Sequence, residues 1–328
     1  MLQSRSMKRI LLPAILLVAG LPLAAQPVRV IFDTDMGNDI DDALALAMLH
    51  ALESRNECRL LAVTLTKDNR WAAPFVDAVN TFYRRSHIPV GAIRNGPTPE
   101  DAKMLWEPCQ RRAPEGTWLY PRRLATGAEA PDSVELLKRV LAEQPDRSVI
   151  IVQVGFSTNL ARLLESPGGK ELAASKVRFL SAMAGNFAQP KPEYNVYTDL
   201  PSARKVFSEW PTPIVFSGWE IGASLLFPAR AVETRFGWVP HHPVADAYRA
   251  YKKMPYDRPS WDLTSVLYAV RPDDRYFSVS PEGGVDVDAK GITRFVEQTG
   301  GRRRYLKLEP GEKARVLEAL VELATQPR

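Results

Sequence analysis

Cysteine is almost missing from this chain: 328 residues carry two, Cys58 and Cys109. They lie far apart and show none of the short spacings of a thiolate metal site, which excludes that chemistry. They fit either a disulfide in an oxidising compartment or two buried thiols. Gly/Ser linkers and low-complexity tracts are absent, so residues 26–328 read most simply as one domain. No fixed-period repeat is present, which excludes a solenoid. The apolar run Met7–Ala25 starts with basic residues and ends with small ones, the order of a secretory signal. It is interrupted by Pro13, Gly20 and Pro22 and is too short to span a bilayer comfortably, so cleavage near Ala25 is expected rather than anchoring. Residues 1–25 contain Arg5, Lys8 and Arg9 and no acid, so their loss takes the formal charge from +5 to +2. The basic balance is therefore partly a leader effect. A secreted or periplasmic protein is expected, with no nucleic-acid partner and no stable membrane association after cleavage.

What the chain does have is acid in one place. Val28–Leu46 runs VRVIFDTDMGNDIDDALAL: an apolar run suited to a strand, five aspartates (Asp33, Asp35, Asp39, Asp41, Asp42) within ten residues, then an Ala/Leu-rich run suited to a helix. Carboxylates crowded between a buried strand and a helix repel one another and lose solvation, and a hard cation is the usual compensation. With no thiolate or imidazole among the acids, the donor set suits Ca²⁺ or Mg²⁺. Complementing the helix N-terminus accounts for Asp41 and Asp42 but not for Asp33 and Asp35 at the strand end.

Downstream, short β-branched runs alternate with helical patterns. Leu60–Thr66, His87–Ala92, Ser148–Val154, Lys176–Met183 and Pro213–Ser217 read as strands. Ala43–Leu52, Trp71–Arg84, a helix capped by Asp132 and ending near Gln144, Pro201–Trp210, Trp261–Val270 and Glu312–Ala324 read as helices. Asn95–Ala130 reads as irregular, Pro228–Pro259 as helices or a flap, and Ser278–Leu308 as extended strands or a hairpin. The fold class is α/β: a largely parallel, Rossmann-like central sheet with helices on both faces and a site at the carboxyl edge of its strands. Polar loops after successive strands, Asp33–Asp42, Thr66–Asn69, Gly155–Asn159, Gly185–Asn195 and Ser217–Glu220, collect at that edge.

The residues carry a resemblance. DTDMGNDIDDALAL resembles the DTDPGxDDAxAL motif of the inosine-uridine-preferring nucleoside hydrolases. Asn69, VGFSTNLA (Val154–Ala161), MAGN with EYN (Met183–Asn186, Glu193–Asn195) and WDLTSVLYAV (Trp261–Val270) follow in the family's order. The resemblance implies a Ca²⁺ held by Asp35, Asp42, Asp262 and the carbonyl of Thr158, with Asp35 also the base that activates water. It implies ribose contacts from Asp41, Asn69, Met183, Asn186, Glu193 and Asn195, a nucleoside or riboside as substrate, and a dimer or tetramer. The reaction implied is hydrolysis of the N-glycosidic bond to free base and ribose.

Two departures stand out. The acid motif has two additional residues, leaving Asp39 as a spare ligand, a loop-ordering acid or the true counterpart of Asp41. Trp261 stands where many members carry a histidine that protonates the leaving base; indole has no such proton, so Trp261 either stacks on the base or packs. His241 and His242 read as surface residues of a loop, with a swing toward the base as the alternative, and His50 and His87 as structural. Tyr248, Tyr251 and Tyr256 are candidates for the entrance, and Trp219 and Glu220 for the leaving-group side. The rival readings are a haloacid-dehalogenase-like phosphatase using Asp33 and Asp35, and a binding protein that holds ribosides without turnover.

Overall fold

The computed structural model describes residues 26–328; the expected signal segment lies outside the described residues. In chain order the elements are β1 (Val28–Thr34), α1 (Asp41–Ser54), β2 (Cys58–Leu65), α2 (Ala72–Phe82), β3 (Val90–Ala92), α3 (Lys103–Gln110), α4 (Ser133–Ala142), β4 (Val149–Gln153), α5 (Thr158–Glu165) and α6 (Gly169–Lys176). There follow β5 (Val177–Met183), α7 (Tyr194–Thr198), α8 (Leu200–Glu209), β6 (Ile214–Ser217), α9 (Trp219–Ser224), β7 (Leu226–Phe227), α10 (Ala229–Thr234), α11 (Pro243–Tyr251) and β8 (Arg258–Pro259). The chain ends with α12 (Trp261–Val270), β9 (Ser278–Val279), β10 (Gly283–Val287), β11 (Thr293–Glu297), β12 (Arg303–Lys307) and α13 (Lys313–Ala324).

Nine strands of the main sheet run in the order β11-β10-β12-β6-β5-β4-β1-β2-β3, with β9 paired to β12. From β3 to β6, and on to β12, every pairing is parallel; β9, β10 and β11 add antiparallel neighbours at the far edge. The order 3-2-1-4-5-6 reverses direction between β1 and β4, and in such sheets the crevice at the reversal is where ligands bind. Period-2 alternation sends Val30 and Phe32 of β1 to one core and Ile31 to the other. On one face α1, α2, α11, α12 and α13 cover the sheet; on the other, α4, α5, α6 and α8 do. The near-continuous apolar strands follow from burial on both faces.

Local signals place the boundaries. Asp132 accepts hydrogen bonds from the backbone N–H of Val134 and Glu135, the cap that starts α4. Trp261–Val270 forms a helix with the limits expected of it. The Asn95–Ala130 stretch, expected to be irregular, contains α3, which buries Met104, Leu105, Pro108 and Cys109. Its helical signal is masked by Pro108, which lacks the N–H that would bond the Met104 carbonyl. Cys58 and Cys109 are both buried free thiols, Cys58 donating to the Leu49 carbonyl. Among the described residues no helix is long and apolar enough to cross a membrane.

Candidate active site

β1 delivers Asp33 and, one residue past its end, Asp35; the loop Met36–Ile40 then turns into α1, whose first two residues are Asp41 and Asp42. Gly155, after β4, lies so close to this loop that a Cβ there would collide with the Asp35 N–H and the Thr66 hydroxyl. The acids differ in their surroundings. Asp33 is fully enclosed, accepting from Thr64 Oγ1 at 2.6 Å and Asn159 Nδ2 at 2.7 Å. Burial pushes its carboxyl up to about 7. It does not line the cavity, so a nucleophilic role for Asp33 in a phosphatase mechanism is excluded by access.

Asp35, Asp41, Asp42 and Asp262 do line that cavity, which has a volume of about 350 Å³. One carboxylate oxygen from each of Asp41, Asp42 and Asp262 comes within 4.8 Å of the others. Asp42 accepts from the Thr34 hydroxyl through one oxygen, while the other is buried with no partner among the described residues. Asp41 accepts from the Asp262 N–H at 3.1 Å, which ties the start of α12 to the start of α1. Burial, reinforced by mutual repulsion, drives the carboxyls of Asp42 and Asp262 well above the ordinary range. Burial likewise lifts Asp35 to about 6 and Asp41 to about 7. Among the described residues no lysine or arginine pairs with these four. An orphaned buried oxygen inside a cluster of oxygen donors fits a hard divalent cation.

The remaining wall comes from later strands. Met183 ends β5; Glu193 and Asn195 flank the start of α7, and all three line the cavity. Asn195 donates from Nδ2 to the carbonyls of Val154 and Met183, at 2.8 and 3.1 Å, joining the ends of β4 and β5. Glu193 accepts from the N–H groups of Asn195, Gly185 and Val196, and burial lifts its carboxyl to about 7. The cavity also has an aromatic wall. Trp219 and Trp261 lie with ring centroids 6.4 Å apart, and Trp261 Nε1 donates to the Trp219 carbonyl at 2.9 Å. Trp261 lines the cavity and also packs against the core, and its N–H is already committed.

Three expected contacts fall outside the cavity lining. Asn69 spends its Nδ2 on the carbonyls of Pro99 and Glu100 and on Asp101, while its Oδ1 accepts from Trp71 N–H, so it orders a loop. Asn186 is engaged through its backbone with Thr293 Oγ1, and its Oδ1 accepts from Gln189 N–H. Thr158 begins α5 and lines a different cleft; its hydroxyl donates to Asp199, and a helical carbonyl points along the axis toward residue i+4. The residue of this segment that lines the acid cavity is Val154, directly after β4. His242, expected at the surface, is buried among Phe82, Phe236 and Trp238, bonded to Tyr83 OH at 3.1 Å. His50 is likewise buried, 2.9 Å from Asn80 Oδ1. Among the described residues no histidine lines the cavity. Tyr248 and Tyr256 stack on each other and exchange hydroxyl-to-carbonyl bonds instead of forming an entrance. Glu220 bonds Phe187 N–H and also stands away from the cavity.

Three further residues line or support the cavity: Asn38, Lys67 and Arg258. Asn38 donates to Asp35 at 2.8 Å and accepts from Lys67 Nζ at 2.9 Å, so it relays a buried lysine to that carboxylate. Arg258 pairs with Asp39 through both carboxylate oxygens, which settles Asp39 as a loop-ordering acid in an ion pair rather than a member of the cluster. The two partners are separated by 219 positions.

Comparison with known proteins agrees with this geometry. The family profile described as inosine-uridine preferring nucleoside hydrolase matches residues 30–321. The pyrimidine-specific ribonucleoside hydrolase RihA of Klebsiella pneumoniae is 27% identical over 326 residues, spanning 90% of this chain and 97% of that protein. Among solved structures, the plant nucleoside hydrolase PpNRh1 superposes with a TM-score of 0.66 at 23% identity, covering 92% of this chain and 100% of its own. The inosine-uridine preferring nucleoside hydrolase of Bacillus anthracis gives a TM-score of 0.67 at 17% identity, with 92% and 100% covered. At these identities the superpositions speak for the fold.

Proposed function

Because this chain belongs to the inosine-uridine preferring nucleoside hydrolase family, and is thereby an N-glycosyl hydrolase of ribonucleosides, we propose a Ca²⁺-dependent mechanism with Asp35 as base and Trp261 against the departing base. The observation that carries it is the convergence of Asp35, Asp41, Asp42 and Asp262 on one cavity that Trp219 and Trp261 also line. Asp42 and Asp262, with Asp41 close by, are the residues to hold the ion. A bound Ca²⁺ supplies positive charge that organises two vicinal ribose hydroxyls and makes a neighbouring water more acidic.

The chain's own residues do the rest. Asp35, steadied by Asn38, takes the proton of the attacking water. Asn195 has both amide protons committed, so its Oδ1 is the acceptor it offers the sugar. Met183 packs the sugar's apolar face, and the Trp219–Trp261 wall excludes water around the base. The substrate is a small ribonucleoside or related riboside. The same proposal places the mature chain outside the cytoplasm after cleavage near Ala25, as a dimer or tetramer.

The test is chromatographic detection of free base from a ribonucleoside panel, with EDTA and with Ca²⁺ restored. Loss on chelation, recovery with Ca²⁺ and a fall of about a thousandfold in Asp35→Ala are expected. Activity indifferent to both treatments would sink the mechanism.

A further inference from the structure

Departure of a nucleobase leaves an electron pair on its glycosidic nitrogen, and this cavity has no histidine to protonate it. Three of its lining donors are spent. Asn38 Nδ2 serves Asp35 and Thr98, Asn195 Nδ2 serves two carbonyls, and Trp261 Nε1 serves Trp219. Arg258 is different. It lies in β8, three residues before Trp261, and lines the cavity on the tryptophan side. Its Nε donates to Asp39 at 2.7 Å and Nη2 bonds the second oxygen, which leaves Nη1 with no partner among the described residues. The guanidinium carbon sits 5.2 Å from the ring centres of both Trp261 and Tyr251. Two aromatic faces and one carboxylate therefore fix its plane while a donor edge stays free.

Resting on the hydrolase reading above, we propose that Arg258, aimed by Asp39, is the leaving-group residue: it binds the departing base as an anion and selects for bases that leave well as anions. In the step, the C1′–N bond breaks with its electron pair going to nitrogen, and water oxygen bonds to C1′. The water proton goes to Asp35 and then to solvent, and the free base anion takes a proton from solvent, so the sum is hydrolysis. Guanidinium is too weak an acid to give up a proton here, but it presents paired N–H groups to adjacent acceptors. Purine anions offer N9 with N3, and pyrimidine anions N1 with O2. Selectivity then follows the acidity of the free base, so oxo bases such as uracil and hypoxanthine leave faster than adenine.

The test compares Arg258→Gln and Arg258→Lys with the unaltered protein on uridine, inosine and 4-nitrophenyl β-D-ribofuranoside, whose phenolate leaves unaided. Thermal melting and circular dichroism confirm that each variant is folded. For Arg258→Gln, kcat/KM falls about a hundredfold or more on the two nucleosides and only a few-fold on the nitrophenyl riboside. Arg258→Lys recovers part of the loss, because charge returns without the fork. An equal loss on all three substrates, or no loss, overturns the proposal. If the unaltered protein cleaves none of the three, it is the hydrolase reading that fails. Arg258 is then tested by hypoxanthine quenching of tryptophan fluorescence: binding weakened at least about tenfold in Arg258→Gln supports its role, and unchanged binding overturns it.

Discussion

Asp42 holds one oxygen against Thr34 and leaves the other buried and unpaired, with Asp41 and Asp262 close at hand. Removing its charge relieves repulsion and at the same time removes a donor to the ion. Asp42→Asn is therefore expected to melt higher than the unaltered protein in EDTA, by about 1 kcal/mol of stability or more, yet to gain little when Ca²⁺ is added. The unaltered protein gains strongly. Differential scanning calorimetry with and without Ca²⁺ reads both signs, and a variant that melts lower in EDTA would refute the argument. Trp261 makes a second residue-scale case. Trp261→Phe keeps a stacking face and should cost under about tenfold in kcat/KM, while Trp261→Ala loses the face and the Arg258 platform and should cost about a hundredfold; base-release assays compare them.

Among the elements, α9 shows how close packing sets the aromatic wall. A Cβ on Gly222 would collide with the Trp261 Cα and indole. Helix propensity alone would make Gly222→Ala stabilising by about 1 kcal/mol. The clash is with backbone, which cannot swing aside, and overpacking costs about 1–3 kcal/mol. The expected outcome is a lower melting temperature together with a raised KM, since Trp261 has to shift. A stabilised variant with normal kinetics would show the clash to be absorbed elsewhere.

The same scale shows what a sequence makes legible. The limits of α12 and the Asp132 cap depend on neighbours in the chain, and both were readable. The acids of the first loop are legible because they crowd into ten residues, whereas Asp262 joins them only through the family resemblance. Asp39 was not assignable, because its partner Arg258 is remote in sequence and lies in a two-residue strand. Thr158 went astray for a related reason: GFSTNLA contains the helix start, but the cavity is reached at Val154, before the turn. Asn69 and Asn186 illustrate the limit of residue type, since an asparagine after a strand serves a loop as readily as a ligand.

For the whole molecule, two buried histidines shape the response to acid. Burial lowers both His50 and His242 to about 3, from the 6.5 of an exposed imidazole. The unfolded chain therefore binds more protons than the folded one between these values. The stability tied to keeping both rings neutral is full above about 6.5, shrinks as pH falls below it and is gone near 3. Buried carboxyls lifted to about 6 or 7 work in the opposite direction over the same range, so the histidine share is read as a difference: in urea melts from pH 7 to 4, His242→Phe, which fills the Phe82, Phe236 and Trp238 cage without a titratable ring, should gain stability relative to the unaltered protein as pH falls. Parallel slopes in the two proteins would assign the acid sensitivity elsewhere.

The edge hairpin has a reach that its position hides. Thr293, the first residue of β11, bonds the backbone of Asn186 through both donor and acceptor, so the loop after β5 is held by a strand more than a hundred positions downstream. With Asp41 tied to Asp262, the first acids of the chain are likewise completed by its last third. A ribosome makes the floor of this cavity first and its fastenings more than two hundred residues later. A chain still emerging carries crowded carboxylates but no finished place to bind a riboside until the segments of Asp262 and Thr293 have followed.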